Sequence, residues 1–395
     1  MPNSFHFAKR TNWELSSNQI TSFVDNLKKE NVEILNLTES NPTKCGFRYP
    51  KRILKSLYDK KNFFYAPDAQ GMLETRQAIS EYYKTKNINV RPEQIFLTSS
   101  TSEAYSYLFR LLANPEDRIL FPHPSYPLFQ FLGDLNDVGL DFYALQYLDQ
   151  WVIDFGSLKD LITSHTKSIV LVNPNNPTGS FFRMYELEEL NGLCQKNRLS
   201  IICDEVFHDF SINPHENHLS LINNKSVLTF VLGGFSKTLG LPQMKLSWIV
   251  ISGPDDLVKE ASARLEVIAD TYLSVNTPVQ NACRVWLKYK KDLQSQILNR
   301  IRNNFSLLKK LFSSNSPCQL LNMEGGWYGV LKLPLHYSEE QIVLDCLKED
   351  HVFVHPGYFF DFLDEPYIVL SLLPQEAIFE KGLTRILNRV SINKP

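Results

Sequence analysis

The 395-residue chain lacks several things, and each lack removes a class of function. Its six cysteines, Cys45, Cys194, Cys203, Cys283, Cys318 and Cys346, include no C-x-x-C pair. Such spacing suggests neither a zinc knuckle nor a disulfide framework, and the thiols read as reduced and mostly buried. An excess of one charge is missing too: 41 Lys and Arg against 43 Asp and Glu leave a formal charge of −2. No basic field is available for a nucleic-acid backbone, so a nucleic-acid partner is not expected. No window holds eighteen consecutive apolar residues, and the first twenty, MPNSFHFAKRTNWELSSNQI, contain no apolar stretch of signal-peptide length. The expectation is a soluble cytoplasmic protein with no membrane association. Internal repeats and low-complexity tracts are also missing.

The chain does have enough apolar residues to build a sizeable core: 43% are hydrophobic and 21% charged. The length favours two units over one. From about residue 90 to 250 a short apolar run, a polar cluster and a segment with helical spacing recur in that order. The runs are QIFLTSS (94 to 100), DRILFPHP (117 to 124), SIVLVNPNNP (168 to 177), LSIICDEV (199 to 206) and SVLTFVLGGFSK (226 to 237). Non-alternating apolar strands are expected when helices cover both faces of a mainly parallel sheet, which places ligands at the carboxyl ends of its strands. The polar clusters should therefore converge. Residues 183 to 197 predict a helix, with Leu187, Leu190, Leu193 and Cys194 on one face. A second helix should start after SSTS (99 to 102), whose Ser and Thr residues cap well. From about 285 a long charged helix leads to a tail of different composition, and the domain change is placed there. The N-terminal forty residues have too few apolar positions to fold alone and are expected to pack beside the C-terminal part.

Three pieces carry chemistry. Ser236-Lys237-Thr238 follows an apolar run and the Gly233-Gly234 pair, with Lys245 eight residues on. Alone, such a lysine would be a solvated loop cation. At the end of a buried strand, however, it loses hydration, its pKa falls, and the neutral amine can form a Schiff base with an aldehyde. Asp204 ends LSIICD; read alone it is a helix cap or turn residue. Its functional reading is a carboxylate that keeps a pyridine nitrogen protonated, so that the ring can absorb electrons from a carbanion. In NPNNPTG (173 to 179), two X-Pro steps fix an extended turn and aim the Asn176 amide.

In this order and at these separations, the pieces resemble the class I/II aminotransferases, pyridoxal-phosphate enzymes of fold type I. The resemblance covers nearly the whole chain. It implies an α/β fold with a mainly parallel sheet in a large domain and a smaller α+β domain. The boundaries would be an N-terminal segment at 1–48 packing with the small domain, a cofactor-binding domain at 49–285 and the small domain at 286–395. By motif, Lys237 of GGFSKTLGLPQMK resembles the lysine that bonds pyridoxal 5'-phosphate and shuttles the proton, with Ser236 beside it. Asp204 resembles the partner of the pyridine nitrogen, and Asn176 the asparagine facing O3′ and the substrate carboxylate. Tyr126 of PHPSYP resembles the aromatic that stacks on the ring. Ser100, Thr101 and Ser102 match the phosphate turn, where a helix N-terminus suits an anion. Tyr65 is similar to the tyrosine that reaches the neighbouring subunit's phosphate, which implies a homodimer. NLTESNPT (36 to 43), with Ser40, resembles the N-terminal substrate loop, and HPGYFF (355 to 360) its C-terminal counterpart. The implied reaction exchanges an amino group between an amino acid and a 2-oxo acid, with no metal.

Four positions depart from the family pattern. Phe207 stands where a tyrosine often bonds O3′, Gly234 where a phosphate-binding serine is common, and Lys245 where an arginine is usual. Lys245 keeps the charge and loses bidentate geometry. Val369 of YIVLSLLPQ stands where an arginine usually clamps the substrate carboxylate, which valine cannot do. Arg10, Lys44 and Arg48, near the N-terminal loop, are candidate replacements; ordinarily each would be a surface charge. Two rivals stand beside transamination: β-elimination from the same carbanion, and a non-catalytic binding protein of the same fold, against which the intact Lys237, Asp204 and Asn176 set argues.

Overall fold

The computed structural model describes residues 6–213, 218–312, 316–363 and 366–392. Its strands in chain order are β1 (Leu35–Asn36), β2 (Ile95–Thr98), β3 (Arg118–His123), β4 (Gly139–Tyr147), β5 (Trp151–Ile153), β6 (Thr166–Val172) and β7 (Ser200–Asp204). They continue with β8 (Thr229–Gly234), β9 (Ser247–Ser252), β10 (Gln319–Leu320), β11 (Tyr328–Lys332), β12 (Val352–Phe353), β13 (His355–Pro356) and β14 (Tyr367–Ser371). All five apolar runs contain a strand. Eight strands form one sheet in the order β2-β9-β8-β7-β6-β3-β4-β5. The strands from β4 through β3, β6 and β7 to β8 are mutually parallel, whereas β9 runs antiparallel to both of its neighbours.

Burial explains the absence of alternation. Every residue of β7 and β8 is buried, so both faces of the sheet are covered. Each fully buried Ile, Val or Leu there contributes about 1.5–3 kcal/mol of transfer free energy. One cluster of side chains lies on either face of the sheet: Ile201, Cys203 and Val231 belong to one, Ile202, Phe230 and Leu232 to the other. That is the period of two expected of a strand buried on both sides. The helix Met184–Asn197 buries Leu187, Leu190 and Cys194, and the helix Thr101–Leu112 begins directly after its N-cap, Ser100.

A second, four-stranded sheet in the order β10-β11-β14-β13 is antiparallel throughout. The helix Lys290–Leu311 joins the two units: Leu293 packs in the core of the large sheet, whereas Ile297, Ile301, Phe305 and Leu308 pack in that of the small one. Ile20, Val24 and Leu27 of the helix Gln19–Lys29 also lie in the small core, and β1 pairs with β12 in parallel. Residues 10 to 13 point elsewhere: Trp13 donates to Asp134 at 2.7 Å and packs edge-on against Phe131, both in the large unit. The six cysteines are buried and unbridged. Among the described residues no helix is long and apolar enough to cross a membrane, and no group of His, Cys, Asp or Glu is arranged to hold a metal.

Candidate active site

Parallel strands deliver their carboxyl ends to one edge, and the polar clusters follow them there. Asp204 is the last residue of β7, and Lys237 lies three residues beyond β8, in the short helix Phe235–Thr238. The Lys237 side chain keeps some exposure, yet its surroundings are protein. Its Nζ lies 4.9 Å from the centre of the Trp327 ring and 5.3 Å from that of Phe207. Burial lowers its pKa from an ordinary 10.5 to about 8, and the charge of Asp204 opposes the fall.

Asp204 is buried, and loss of solvent raises its pKa to about 6. Three influences oppose the rise: a hydrogen bond from the Val206 N–H (3.1 Å), another from the Tyr105 hydroxyl (3.3 Å), and the charge of Lys237. The amine and the acid thus act on each other within one enclosure, and burial brings their pKa values to within about two units of each other. Tyr105 belongs to the apolar face of the helix Thr101–Leu112, and its polar role was not legible in the sequence.

The turn 173–179 is held at both ends. Asn173 N–H donates to the Asp204 carbonyl (2.8 Å), which ties the turn to β7. The Asn175 side chain accepts from the Thr178 hydroxyl (2.9 Å) and donates to the Pro124 carbonyl (3.3 Å), so it is used up in shaping the loop. Asn176 is different. It is only 8% exposed, and its Oδ1 is buried without a hydrogen-bond partner. An unpaired buried amide costs about 1–3 kcal/mol, which a ligand can relieve. The turn also docks on the loop 323–326 of the small unit. Gly179 has a φ of +73° and would carry any Cβ 2.4 Å from the Gly325 carbonyl oxygen, so glycine is required there twice over. Glu324 locks the contact, pairing with Arg183 at 2.7 Å and accepting from the Phe181 N–H at 3.2 Å.

Ser100 spends its hydroxyl on capping, accepting from Glu103 N–H at 3.2 Å, while Glu103 accepts in return from Ser99. Thr101 and Ser102 open the helix, so their N–H groups have no partner within it. Lys245 is exposed, with a left-handed backbone (φ 53°). Ser236 is half-buried beside Lys237. Tyr126 is 42% exposed, its ring edge-on to Phe129 at 6.1 Å. Tyr328 interacts with the side chain of Ser40 and lies near Tyr126, and burial pushes its pKa up to about 12. Ser125 N–H donates to the Phe360 carbonyl (2.9 Å), which brings the HPGYFF segment to the PHPSYP loop.

The positions that depart from the family pattern have local causes. Phe207 is buried, edge-on to Trp327 at 5.2 Å, and walls the lysine with carbon. Val369 is fully buried, opposite Val330 and His355 in the small sheet. Arg10 already has a partner, an ion pair with Asp137 at 2.7 Å. Lys44 and Arg48 are exposed, and the backbone of Arg48 is held by Gln296. Tyr65 is exposed. Trp327 and Tyr328, which help wall the site, were not singled out in the sequence. The Gly-Gly-Trp-Tyr run at 325–328 was the available signal.

These groups suit an aldehyde-bearing pyridine phosphate: a neutralisable amine at Lys237, a buried carboxyl at Asp204, an amide at Asn176 whose oxygen is unpaired, and the N-terminus of the helix Thr101–Leu112. A family model described as "Aminotransferase class I and II" matches residues 32–377. Glutamate-pyruvate aminotransferase AlaA of Haemophilus influenzae is 26% identical over 377 residues, covering 92% of this chain and 92% of its own. Alanine aminotransferase of Mycobacterium tuberculosis is 25% identical over 372 residues, covering 92% and 86%. Among solved structures, alanine aminotransferase from Pyrococcus furiosus shares the fold with a TM-score of 0.89 at 24% identity, covering 98% of this chain and 100% of that one.

Proposed function

Because the chain belongs to the class I and II aminotransferases, pyridoxal-phosphate enzymes that move an amino group between an amino acid and a 2-oxo acid, we propose that Lys237, Asp204 and Asn176 are the residues with which it does so. The observation that carries this assignment is the pairing of a lysine lowered to about 8 with an aspartate raised to about 6 in one enclosure. When bound, the cofactor supplies an aldehyde that condenses with amines and a ring that accepts the electron pair released at the substrate Cα. Lys237, neutral for part of the time near neutral pH, would hold the cofactor through its amine, and the same amine is the group that would move the proton at the substrate Cα. Asp204 holds the proton of the ring nitrogen, its own charge kept in place by Tyr105 and Val206. Asn176 would donate from its Nδ2 to the cofactor O3′ and the substrate carboxylate, while its buried Oδ1, which has no partner, can accept only from a donor. Phe207 and Trp327 exclude water from the amine. Ser100, Thr101, Ser102, Ser236 and Lys245 would hold the phosphate, and Tyr126 would stack on the ring.

The reading includes a cytoplasmic homodimer. Tyr58 is 95% exposed and Tyr65 79%, and Phe63 and Phe64 between them are similarly bare. A run of uncovered rings of this kind marks an interface. A second copy covers it, and Tyr65 reaches the partner's phosphate.

The test is a half-reaction. Holoenzyme mixed with a single amino acid and no acceptor should lose the absorbance of its aldehyde form, releasing one equivalent of 2-oxo acid. Adding a second 2-oxo acid should restore it. Continuous release of ammonia without an acceptor would instead favour elimination. Lys237→Ala should be colourless and inactive, and a coloured, active variant would refute the assignment.

A further inference from the structure

The position of Ser247 follows from the sheet topology. It is the first residue of β9, and because β9 is antiparallel to both neighbours, it lies beside the carboxyl ends of two strands at once. Its register partner on β2 is Thr98, and on β8 Gly234. After Thr98 the chain enters the helix Thr101–Leu112 through Ser99 and Ser100; after Gly234 it reaches Ser236 and Lys237. Lys245 precedes Ser247 by two residues. Ser247 therefore sits where the helix N-terminus, the lysine segment and Lys245 meet.

Its hydroxyl has a direction. A Cβ built on Gly234 would lie 2.3 Å from Ser247 Oγ and 3.1 Å from Ser247 Cβ, so the hydroxyl fills the space that any side chain at 234 would need. The backbone does not demand glycine there, since φ at Gly234 is −179°, an extended conformation open to every residue. Ser247 itself explains the glycine. Ser247 is 1% exposed, and among the described residues no hydrogen bond is made to its hydroxyl. A hydroxyl with no protein partner is free to donate to a ligand, and this one is aimed where an anion is expected.

We propose that Ser247 is a phosphate ligand of the cofactor, its hydroxyl reaching across the strand pair over the bare Gly234 backbone to donate a hydrogen bond to a phosphate oxygen. The proposal rests on the pyridoxal-phosphate reading above. It adds to that reading a ligand from β9, which has Lys245 as its near neighbour in sequence.

Pyridoxal, which lacks the phosphate, separates this role from a structural one. Dissociation constants of the cofactor-free protein for pyridoxal 5'-phosphate and for pyridoxal are read from the visible absorbance formed with Lys237. Ser247→Ala should weaken pyridoxal 5'-phosphate by about ten- to a hundredfold, the worth of one hydrogen bond to a charged group, and leave pyridoxal unchanged. Exchanging the pair, Gly234→Ser with Ser247→Gly, moves the hydroxyl to the opposite strand and should recover binding to within about threefold, so misfolding of one variant would not decide the matter. Equal weakening of both ligands by Ser247→Ala, or no change for either, overturns the proposal. If the wild-type protein forms no absorbance with pyridoxal 5'-phosphate, the cofactor reading itself fails and the proposal with it, whereas failure confined to Ser247→Ala leaves that reading standing.

Discussion

Replacing Asp204 with Asn removes one charge while keeping an oxygen for the Val206 N–H and a polar partner for Tyr105, and three consequences follow. The first concerns Lys237 in the cofactor-free protein. At a pKa of about 8 roughly a tenth of the amine is neutral at pH 7, against about 1 in 3,000 at 10.5, so burial supplies roughly 300-fold more nucleophile. The Asp204 carboxylate holds that pKa up, so its loss should carry the midpoint below 8 and raise the neutral fraction further, to a ceiling of about tenfold at pH 7. The second is stability. The folded pKa of Asp204 is raised from 3.8 to about 6, so ionisation is costlier in the folded state. Stability is fully retained below pH 4 and is lost as pH rises through 6, by about 3 kcal/mol for a two-unit shift. The cofactor-free Asn variant should therefore melt above the wild type at pH 8, and the difference should vanish near pH 4. The third is turnover, which should fall by about a hundred- to a thousandfold, because the charge that holds the ring proton is gone. The rate of reaction of Lys237 with a small aromatic aldehyde is followed from pH 6 to 10, with Lys237→Ala as the blank, beside melting curves and steady-state kinetics. A midpoint that rises, or turnover that is unchanged, refutes the coupling on which the site is built.

The remaining predictions probe the frame around that pair. Val369→Arg would bury a guanidinium opposite Val330 and His355, whose own pKa burial has already pushed down to about 4, so it should cost at least about 4 kcal/mol in thermal unfolding. A variant of normal stability with tighter amino-acid binding would mean that position 369 faces the substrate. Glu324→Ala removes the partner of both Arg183 and the Phe181 N–H, and should lower stability by about 1–3 kcal/mol and kcat more than KM, because the turn carrying Asn176 loses its anchor. Unchanged kcat would separate that anchor from the chemistry. Phe64→Asp places a charge among the exposed rings and should shift the sedimentation of the holoenzyme towards monomer; a dimer that persists would mean that the second copy docks elsewhere.

Legibility in the sequence tracked how local the cause was. Strands buried on both faces write themselves as apolar runs, so β7 and β8 could be read directly, and with them the residues they deliver, Asp204 and Lys237. The strand β4 could not, because its burial is patchy and its residues alternate irregularly between inside and outside. The strand β9 is as apolar as any, yet it lies between two helical segments with no catalytic cluster at its end; its function depends on running backwards, and direction is not encoded in composition. The long helix at 290–311 was visible as a helix, but not as the element that serves both cores, since only packing reveals that Leu293 and Ile297 part company. Residues that act by touching others across the fold were the least visible. Tyr105 reads as one more aromatic in an apolar stripe until its hydroxyl is found on Asp204, 99 residues away. Arg10 reads as an available cation until Asp137, far along the chain, is found to hold it. Gly234 looked like the loss of a hydroxyl, but it also clears the path for one on the neighbouring strand, and that exchange can be read only after the two strands are placed side by side.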